Sequence, residues 1–176
     1  MKKLSYLLIV LAFSLNSCQS NAQKKPKAEQ FKIQKSEKEW KQELSNEEYY
    51  ILRQAGTEKP FSSELNNIKE PGTFVCAACE NPLYKTKHKF ESGTGWPSFD
   101  RPIDGGIFYS TDNKLGYTRN EVLCAKCGGH LGHVFNDGPP PTGLRYCMNS
   151  AALRFIPLEK MEEEGYGDYI PAVTDD

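Results

Sequence analysis

The chain has 176 residues, of which 38% are hydrophobic and 11% aromatic, and this suits one domain with a hydrophobic core of ordinary size. Its 22 basic and 23 acidic residues give a net charge of −1. No block rich in Lys and Arg with interleaved aromatic residues follows the N-terminus, so the sequence argues against a nucleic-acid-binding protein. We expect a monomer.

The N-terminus has the pattern of an export signal. A pair of lysines precedes an apolar run, Leu4–Leu15, which is shorter than the roughly 20 residues of a membrane span and fits the apolar region of a signal peptide. The four residues L-N-S-C ending at Cys18 resemble a bacterial lipobox, although Asn16 departs from it and leaves plain secretory cleavage as the alternative. We predict a signal peptide of the lipoprotein type over residues 1–17.

The residues after this signal predict a tether. Gln19 to Gln30 have no apolar periodicity, so we expect a polar, flexible tether over residues 18–35. With a lipid anchor on Cys18, the protein is expected on the periplasmic side of a bacterial membrane.

Two helices followed by short strands are predicted for residues 36–170, before an acidic tail at 171–176. Ser36 with Glu39 and Ser45 with Glu48 are capping-box pairs, and Gly56 is expected to end the second helix. The sequence predicts a mainly β, antiparallel domain with an N-terminal helical lead. The predicted strands are Thr73–Val75, Ile107–Thr111, Tyr117–Leu123 and Leu144–Phe155.

Four cysteines form two C-x-x-C pairs, Cys76 with Cys79 and Cys124 with Cys127. Each pair directs two sulfurs at one point, so two pairs predict a tetrahedral, structural zinc site. The interval between the pairs exceeds that of ordinary zinc ribbons, and two disulfides are a second interpretation in an exported protein. A thioredoxin-like redox pair is a third, although the sequence lacks the βαβ context it requires.

Cys147 stands outside both pairs and is a candidate nucleophile. A thiol attacks as its thiolate, so a reactive cysteine needs positive charge or hydrogen-bond donors nearby. Arg145 and Asn149 lie two residues to either side and would share the face of Cys147 on a strand. The alternative is a buried core thiol, which is common for free cysteine.

His130 and His133 follow the second cysteine pair and are candidate proton donors. Histidine is suited to this task because its unperturbed pKa, about 6.5, lies nearest to neutrality. His88 matches no motif and is expected at the surface.

Three motifs occur in order along the chain: E-S-G-T-G-W-P-S-F-D-R-P (Glu91–Pro102), G-G-H-L-G-H-V-F-N-D-G-P (Gly128–Pro139) and L-R-Y-C-M-N-S-A-A-L (Leu144–Leu153). Together they resemble the signature of the B-type methionine sulfoxide reductases, from about Ser36 to about Tyr169. The resemblance implies two packed antiparallel sheets and a zinc ion on the four paired cysteines. It also implies reduction of the R epimer of methionine sulfoxide in oxidised proteins.

The resemblance assigns roles to the site residues. Trp96 is placed against the substrate methyl group, with Phe135 as a second wall. Asp137 and Arg145 belong to the polar network of the pocket, and Arg145 favours the thiolate. Asn149 is expected to orient water or a histidine.

The mechanism implied is attack of the Cys147 thiolate on the sulfoxide sulfur while His130 or His133 protonates the oxygen. Cys147 then becomes a sulfenic acid. Many family members carry a second, resolving cysteine where this chain has Thr94. We therefore expect an external thioredoxin-like thiol to reduce the sulfenic acid directly.

Two other functions fit parts of the pattern. A zinc-ribbon-like module that binds peptides without chemistry would have no need of a free thiol among donors. A general thiol-disulfide oxidoreductase would show no stereochemical preference for a sulfoxide.

Overall fold

The computed structural model describes residues 30–170, and two short helices open this part of the chain. Helix α1 spans Glu37–Glu43 and helix α2 spans Asn46–Gln54. Before each helix a serine side chain accepts the N–H of a glutamate whose carboxylate bonds back to the N–H of the serine. These pairs are Ser36 with Glu39 and Ser45 with Glu48, so the predicted helical lead is confirmed.

Helix α2 is followed by Ala55 in the left-handed conformation (φ 51°, ψ 48°), a role that the sequence analysis gave to Gly56. Gly56 has a different role, because a Cβ atom there would lie 2.3 Å from the ring of Tyr50, which packs over it. The glycine therefore serves close packing.

The described residues form nine strands, each paired antiparallel to its neighbours. They are β1 (Gly72–Cys76), β2 (Pro82–Lys85), β3 (Lys89–Phe90), β4 (Ser98–Phe99), β5 (Ile107–Asp112), β6 (Arg119–Cys124), β7 (His130–Phe135), β8 (Arg145–Met148) and β9 (Leu153–Pro157). One sheet has the order β2-β1-β9 and the other the order β3-β4-β8-β7-β6-β5. The predicted mainly β architecture of two antiparallel sheets is confirmed.

Short helical segments complete the described part. A helix α3 spans Leu158–Met161, and 3-10 turns span Glu64–Asn67, Thr86–His88, Ser150–Ala152 and Gly167–Tyr169. Within residues 30–170, no helix has the length and apolar character that crossing a membrane requires.

The predicted strand Leu144–Phe155 is wrong in one respect, because it is two strands in different sheets. Strand β8 ends at Met148, a 3-10 turn follows, and β9 begins at Leu153. Strand β8 pairs with β4 and β7, whereas β9 pairs with β1. Both strands are rich in β-forming residues, so their composition alone does not reveal the crossing. The sequence analysis also missed β2, β3, β4 and β7.

Aromatic side chains fill the space between the two sheets. Phe74 of β1 and Tyr84 of β2 pack on Phe99 of β4, with ring centroids 5.1 and 4.3 Å away. Tyr84 also donates a hydrogen bond to the sulfur of Met148 on β8 (3.2 Å). Since Tyr146 and Met148 of β8 face this core, Cys147 between them faces the other side of the sheet.

The predicted tether overlaps the folded domain at its end. Phe31 is buried against Gly128, and the Ile33 N–H donates to the Lys126 carbonyl (2.9 Å). The boundary at residue 35 is therefore too late, since the chain already contacts the domain at Phe31. The predicted signal peptide, Cys18 and the acidic tail at 171–176 lie outside the described residues.

Candidate active site and metal centre

Polar residues form a continuous row across the six-stranded sheet. In the strand register, Ser110 lies opposite Glu121, Glu121 opposite His133, His133 opposite Cys147, and Cys147 opposite Ser98. Residues directly opposite each other in antiparallel strands project from the same face. The register therefore places a histidine and a carboxylate in one line with the candidate nucleophile.

A β-bulge adds His130 to this face. Val122 of β6 pairs with Gly132 and the following residue, Leu123, pairs with His130, so Leu131 is an extra residue in β7. In a regular strand, side chains three residues apart would point to opposite faces. The rings of His130 and His133 instead lie 5.3 Å apart.

A cavity of about 120 Å³ opens beside Cys147. It brings together five of the predicted site residues: Trp96, His133, Phe135, Cys147 and Asn149. Thr57, Arg119, Gly132 and Met148 complete its lining. The cavity thus combines a thiol, an aromatic wall and polar groups.

His130 lines a neighbouring cavity of about 230 Å³. Its Nδ1 bonds to the Glu121 carboxylate at 2.8 Å, and its Nε2 has no partner among the described residues. Three more buried polar atoms of that cavity share this condition: Trp40 Nε1, Arg53 Nε and Ser110 Oγ. His130 therefore does not line the cavity of Cys147 and instead lies next to His133, which does.

His133 is held by a buried carboxylate. Its Nε2 bonds to Asp112 Oδ2, which also accepts from Arg119 (2.7 Å), while Asp112 Oδ1 accepts the Lys114 N–H (2.7 Å). Burial alone would raise the pKa of Asp112, but the Lys114 N–H, His133 and Arg119 together lower it to about 2. Burial lowers the pKa of His133, and the Asp112 contact acts in the opposite direction.

Cys147 lies among hydroxyl groups of the Glu91–Pro102 motif. Thr94 Oγ1 is 3.8 Å from its sulfur, Ser92 Oγ is 2.8 Å from Thr94 Oγ1, and Ser98 Oγ is 2.7 Å from Ser92 Oγ. Burial raises the pKa of the Cys147 thiol, while Thr94 and Arg145 act to lower it. The thiolate favoured by the sequence argument is thus opposed by burial in the resting protein.

Arg145 connects Cys147 with Asp137 and Phe135. Its guanidinium donates two 2.9 Å hydrogen bonds to the Asp137 carboxylate and lies 4.5 Å from the centre of the Phe135 ring. The Arg145 hydrogen bonds also lower the pKa of Asp137. Arg145 and Asp137 therefore form one network, as the resemblance implies, although neither lines the cavity itself.

Asn149 is fixed by backbone groups. Its Nδ2 donates to the Leu131 carbonyl (3.1 Å) and its Oδ1 accepts the Glu58 N–H (3.2 Å). The Glu58 carboxylate accepts the N–H groups of Ser150 and Ala151 at 2.6 and 2.8 Å. Both amide atoms of Asn149 bond to the backbone, and neither bonds to a histidine among the described residues. Its expected role, to orient water or a histidine, therefore stays a prediction.

The sequence analysis missed four residues that shape the site: Glu58, Asp112, Arg119 and Glu121. Arg119 and Glu121 lie two residues apart in a predicted strand and therefore share one face of it. This spacing could have indicated a polar face. Glu58 gave no local sign because its partner Asn149 is 91 residues away along the chain. His88, expected at the surface, is half-buried with its Nδ1 3.0 Å from Asp100.

The four paired cysteines form a second centre, which joins the two sheets. Cys76 ends β1, Cys124 ends β6, and all four sulfurs lie within 4.8 Å of one another. Cys76 and Cys127 sulfurs are 3.8 Å apart, and those of Cys79 and Cys124 are 3.5 Å apart. The sulfurs of a tetrahedral site with metal bonds of about 2.3 Å are about 3.8 Å apart, so the geometry fits a metal ion.

The other interpretations of these cysteines find no support. No disulfide joins cysteines within residues 30–170, and sulfur–sulfur distances of 3.5 and 3.8 Å in the centre exceed the bond length of about 2.05 Å. The centre also lies apart from Cys147, which faces its own cavity. A four-sulfur centre that fits a metal ion, separate from one thiol in an aromatic, histidine-containing cavity, defines a thiol-dependent enzyme.

Comparisons with known proteins specify the family. The SelR domain model matches residues 44–157. The chain is 55% identical over 126 residues to the peptide methionine sulfoxide reductase MsrB of Leptospira interrogans, which covers 71% of this chain and 96% of that protein. The MsrB protein of Bradyrhizobium diazoefficiens is 52% identical, over 76% of this chain and 96% of that protein. The MsrB protein of Agrobacterium fabrum is 48% identical, over 72% of this chain and 95% of that protein. The chain therefore belongs to the SelR family of MsrB peptide methionine sulfoxide reductases.

Removal of the metal ion is expected to unfold the domain. The free energy with which small domains bind a structural zinc ion, about 10–16 kcal/mol, matches the whole stability of a typical domain, about 5–15 kcal/mol. Cys76→Ser should therefore lower the melting temperature sharply, whereas the control Cys147→Ser, outside the centre, should leave it nearly unchanged. A chelated, metal-free sample that keeps its melting temperature and activity would contradict this.

Loss of the Thr94 hydroxyl is expected to raise the pKa of Cys147 further, because Thr94 is a donor to the thiolate. One hydrogen bond contributes about 0.5–1.5 kcal/mol, so alkylation of Cys147 in Thr94→Val at pH 7 should slow about two- to tenfold. The midpoint of the alkylation rate against pH should move upward. Thr94→Ser keeps the hydroxyl and should match the wild type; equal rates for Val and Ser would refute the hydroxyl effect.

Proposed function

We propose that this protein reduces the R epimer of protein-bound methionine sulfoxide to methionine, with Cys147 as nucleophile. The observation that carries the proposal is the cavity in which Cys147 meets His133 and the aromatic rings of Trp96 and Phe135. Membership of the MsrB family supports the same reaction. A peptide-binding module would not need the free thiol, and a disulfide oxidoreductase would not need the aromatic wall.

The lining of this cavity matches the two ends of a sulfoxide. The apolar methyl group would pack against Trp96 and Phe135. Two buried donors of the same cavity, Trp96 Nε1 and Arg119 Nε, have no partner among the described residues. The S=O oxygen is an acceptor that satisfies such donors, and this gives a pyramidal sulfoxide one preferred orientation.

The chemical step requires a thiolate and an acid close together. Cys147 attacks the sulfoxide sulfur while His133, opposite it in the sheet, delivers a proton to the oxygen. The net step converts thiol and sulfoxide into sulfenic acid and thioether. Cys147 sulfur loses the two electrons that the substrate sulfur gains, and the oxygen ends on Cys147 as S–OH.

We assign His133 as the acid and His130 as its positioning partner. His133 shares the cavity with Cys147, and Asp112 engages its Nε2, so Nδ1 is the nitrogen available to the substrate. The proton at Nδ1 belongs to the imidazolium form of His133, which the Asp112 contact favours and burial disfavours. His130 lies behind it, bonded to Glu121. Arg145 favours the thiolate from the side of Asp137.

The metal ion is proposed to be zinc, held by Cys76, Cys79, Cys124 and Cys127. Four buried thiols with tetrahedral spacing suit zinc, which has no redox chemistry and binds in closed structural sites. Its contribution would be to hold the two sheets and the start of β7. We also propose that a monomer is the active unit.

We also propose export and lipid anchoring at Cys18, on the pattern of residues 1–18 alone. A mature protein with a lipid-modified Cys18 as its first residue is the expected mass-spectrometric result. Cleavage beyond Cys18, or retention of residues 1–17, would contradict the anchor.

The epimers of a methionine-sulfoxide peptide test the proposed reaction. With dithiothreitol as reductant, the purified protein should convert the R epimer and leave the S epimer intact, because only one epimer places both methyl and oxygen correctly. Cys147→Ser should lose all detectable turnover while keeping its fold. Conversion of both epimers, or of neither, would refute the proposal.

A single turnover without reductant tests the fate of Cys147. The sulfenic acid has no partner thiol in the cavity, since Thr94 is the residue beside it and the other described cysteines lie in the metal centre. Dimedone should therefore trap one adduct on Cys147, and a thioredoxin-like thiol should remove the sulfenic acid directly. A mass lower by two hydrogen atoms, without an adduct, would show an internal disulfide instead.

A further inference from the structure

Phe61 combines two unusual properties. Its side chain is 73% exposed, the highest value among the exposed large hydrophobic residues that the structure describes. Its backbone is left-handed, with φ 60°. A bulky residue rarely adopts this conformation, because its Cβ atom crowds the following carbonyl oxygen.

The two other non-glycine residues with positive φ in the described chain have evident structural roles. Ala55 closes helix α2, and Glu80 ends the turn of the first cysteine pair, where its N–H donates to the Cys76 carbonyl (2.8 Å). Glycine or asparagine would form the turn at position 61 with less strain. The turn itself therefore does not account for an aromatic ring held in water.

The contacts of Phe61 place it beside the active site. Its N–H donates to the Gly95 carbonyl (2.7 Å), and a Cβ atom on Gly95 would lie 2.9 Å from its ring. Gly95 joins Thr94, which contacts the Cys147 sulfur, to Trp96, which lines the cavity. The ring of Phe61 is thus largely in solvent and lies against the loop that forms one wall of the cavity.

The segment from Thr57 to Phe61 contacts the active site at both of its ends. Thr57 lines the cavity, and Glu58 holds Asn149 and the turn that follows it. Phe61 and the Asn66 amide then both donate to the Gly95 carbonyl. These bonds fix the direction in which the exposed ring is presented.

We propose that Phe61 is a docking residue for the polypeptide that carries the oxidised methionine, and that it binds an apolar side chain next to the sulfoxide. This inference rests on the proposed function. Methionine oxidation disrupts the packing of apolar cores, so a chain in need of repair exposes apolar residues near its sulfoxide. Burial of such a side chain against Phe61 would remove both from water.

The test compares two substrates in single turnovers: a leucine-flanked peptide containing methionine (R)-sulfoxide, and N-acetyl-methionine (R)-sulfoxide amide, which has no neighbouring side chains. Phe61→Asn removes the ring and suits the left-handed backbone. The half-saturating concentration of the peptide should rise about tenfold, with the maximal rate unchanged. Both constants for the small substrate should stay at the wild-type values.

A matched control and a second variant guard against structural effects. Tyr50→Ala removes another exposed aromatic side chain, 49% exposed on helix α2, and should behave as the wild type with both substrates. Phe61→Leu keeps an apolar side chain and should lie between wild type and Phe61→Asn for the peptide. Equal losses on both substrates would mean that Phe61 only supports the catalytic loop, and would overturn the inference.

The remaining outcomes are equally decisive. An unchanged peptide constant in Phe61→Asn overturns docking while leaving the reductase proposal intact. A loss that appears only in multiple turnovers with a thioredoxin-like reductant would mean that Phe61 serves the reductant, and would also overturn the inference. If the wild type reduces neither substrate, the proposed function itself fails.

Discussion

The four-sulfur centre is the constraint on which the rest of the structure depends. It joins the end of β1, in the three-stranded sheet, to the end of β6, in the six-stranded sheet. The turn that carries Cys124 and Cys127 leads through two glycines directly into β7, and the Cys124 N–H donates to the Gly129 carbonyl (2.9 Å). The four-sulfur centre takes no part in the chemistry of Cys147. It nevertheless determines where β7 begins, and therefore where both histidines lie.

The register of β7 then builds the active site. Its pairing with β6 and β8 aligns Glu121, His133 and Cys147, and its bulge adds His130 to the same face. The opposite face of β8 carries Tyr146 and Met148 into the core. One sheet therefore supports a dry interior on one side and a chain of buried polar groups on the other, each polar group in need of a partner.

Some of these buried polar groups bond to one another, and others have no partner in the described chain. Asp112 accepts a hydrogen bond from Arg119 and bonds to His133, and Glu121 bonds to His130. Six of the buried side-chain atoms without a partner in the described chain belong to residues that line the two cavities: Trp96 Nε1, Arg119 Nε, Trp40 Nε1, Arg53 Nε, Ser110 Oγ and His130 Nε2. In a protein interior such atoms concentrate where a substrate or solvent completes the hydrogen bonding.

Local patterns in the sequence determined the helix caps, the cysteine pairs, the isolated Cys147 and the mainly β class, because each depends on residues close together along the chain. Only the tertiary structure decided which face each residue occupies. The crossing from β8 to β9, the bulge at Leu131 and the contact of Glu58 with Asn149 all depend on partners far away in sequence. The same is true of the state of Cys147: its neighbours Arg145 and Asn149 suggested a stabilised thiolate, but its pKa follows the burial that the packed sheet imposes.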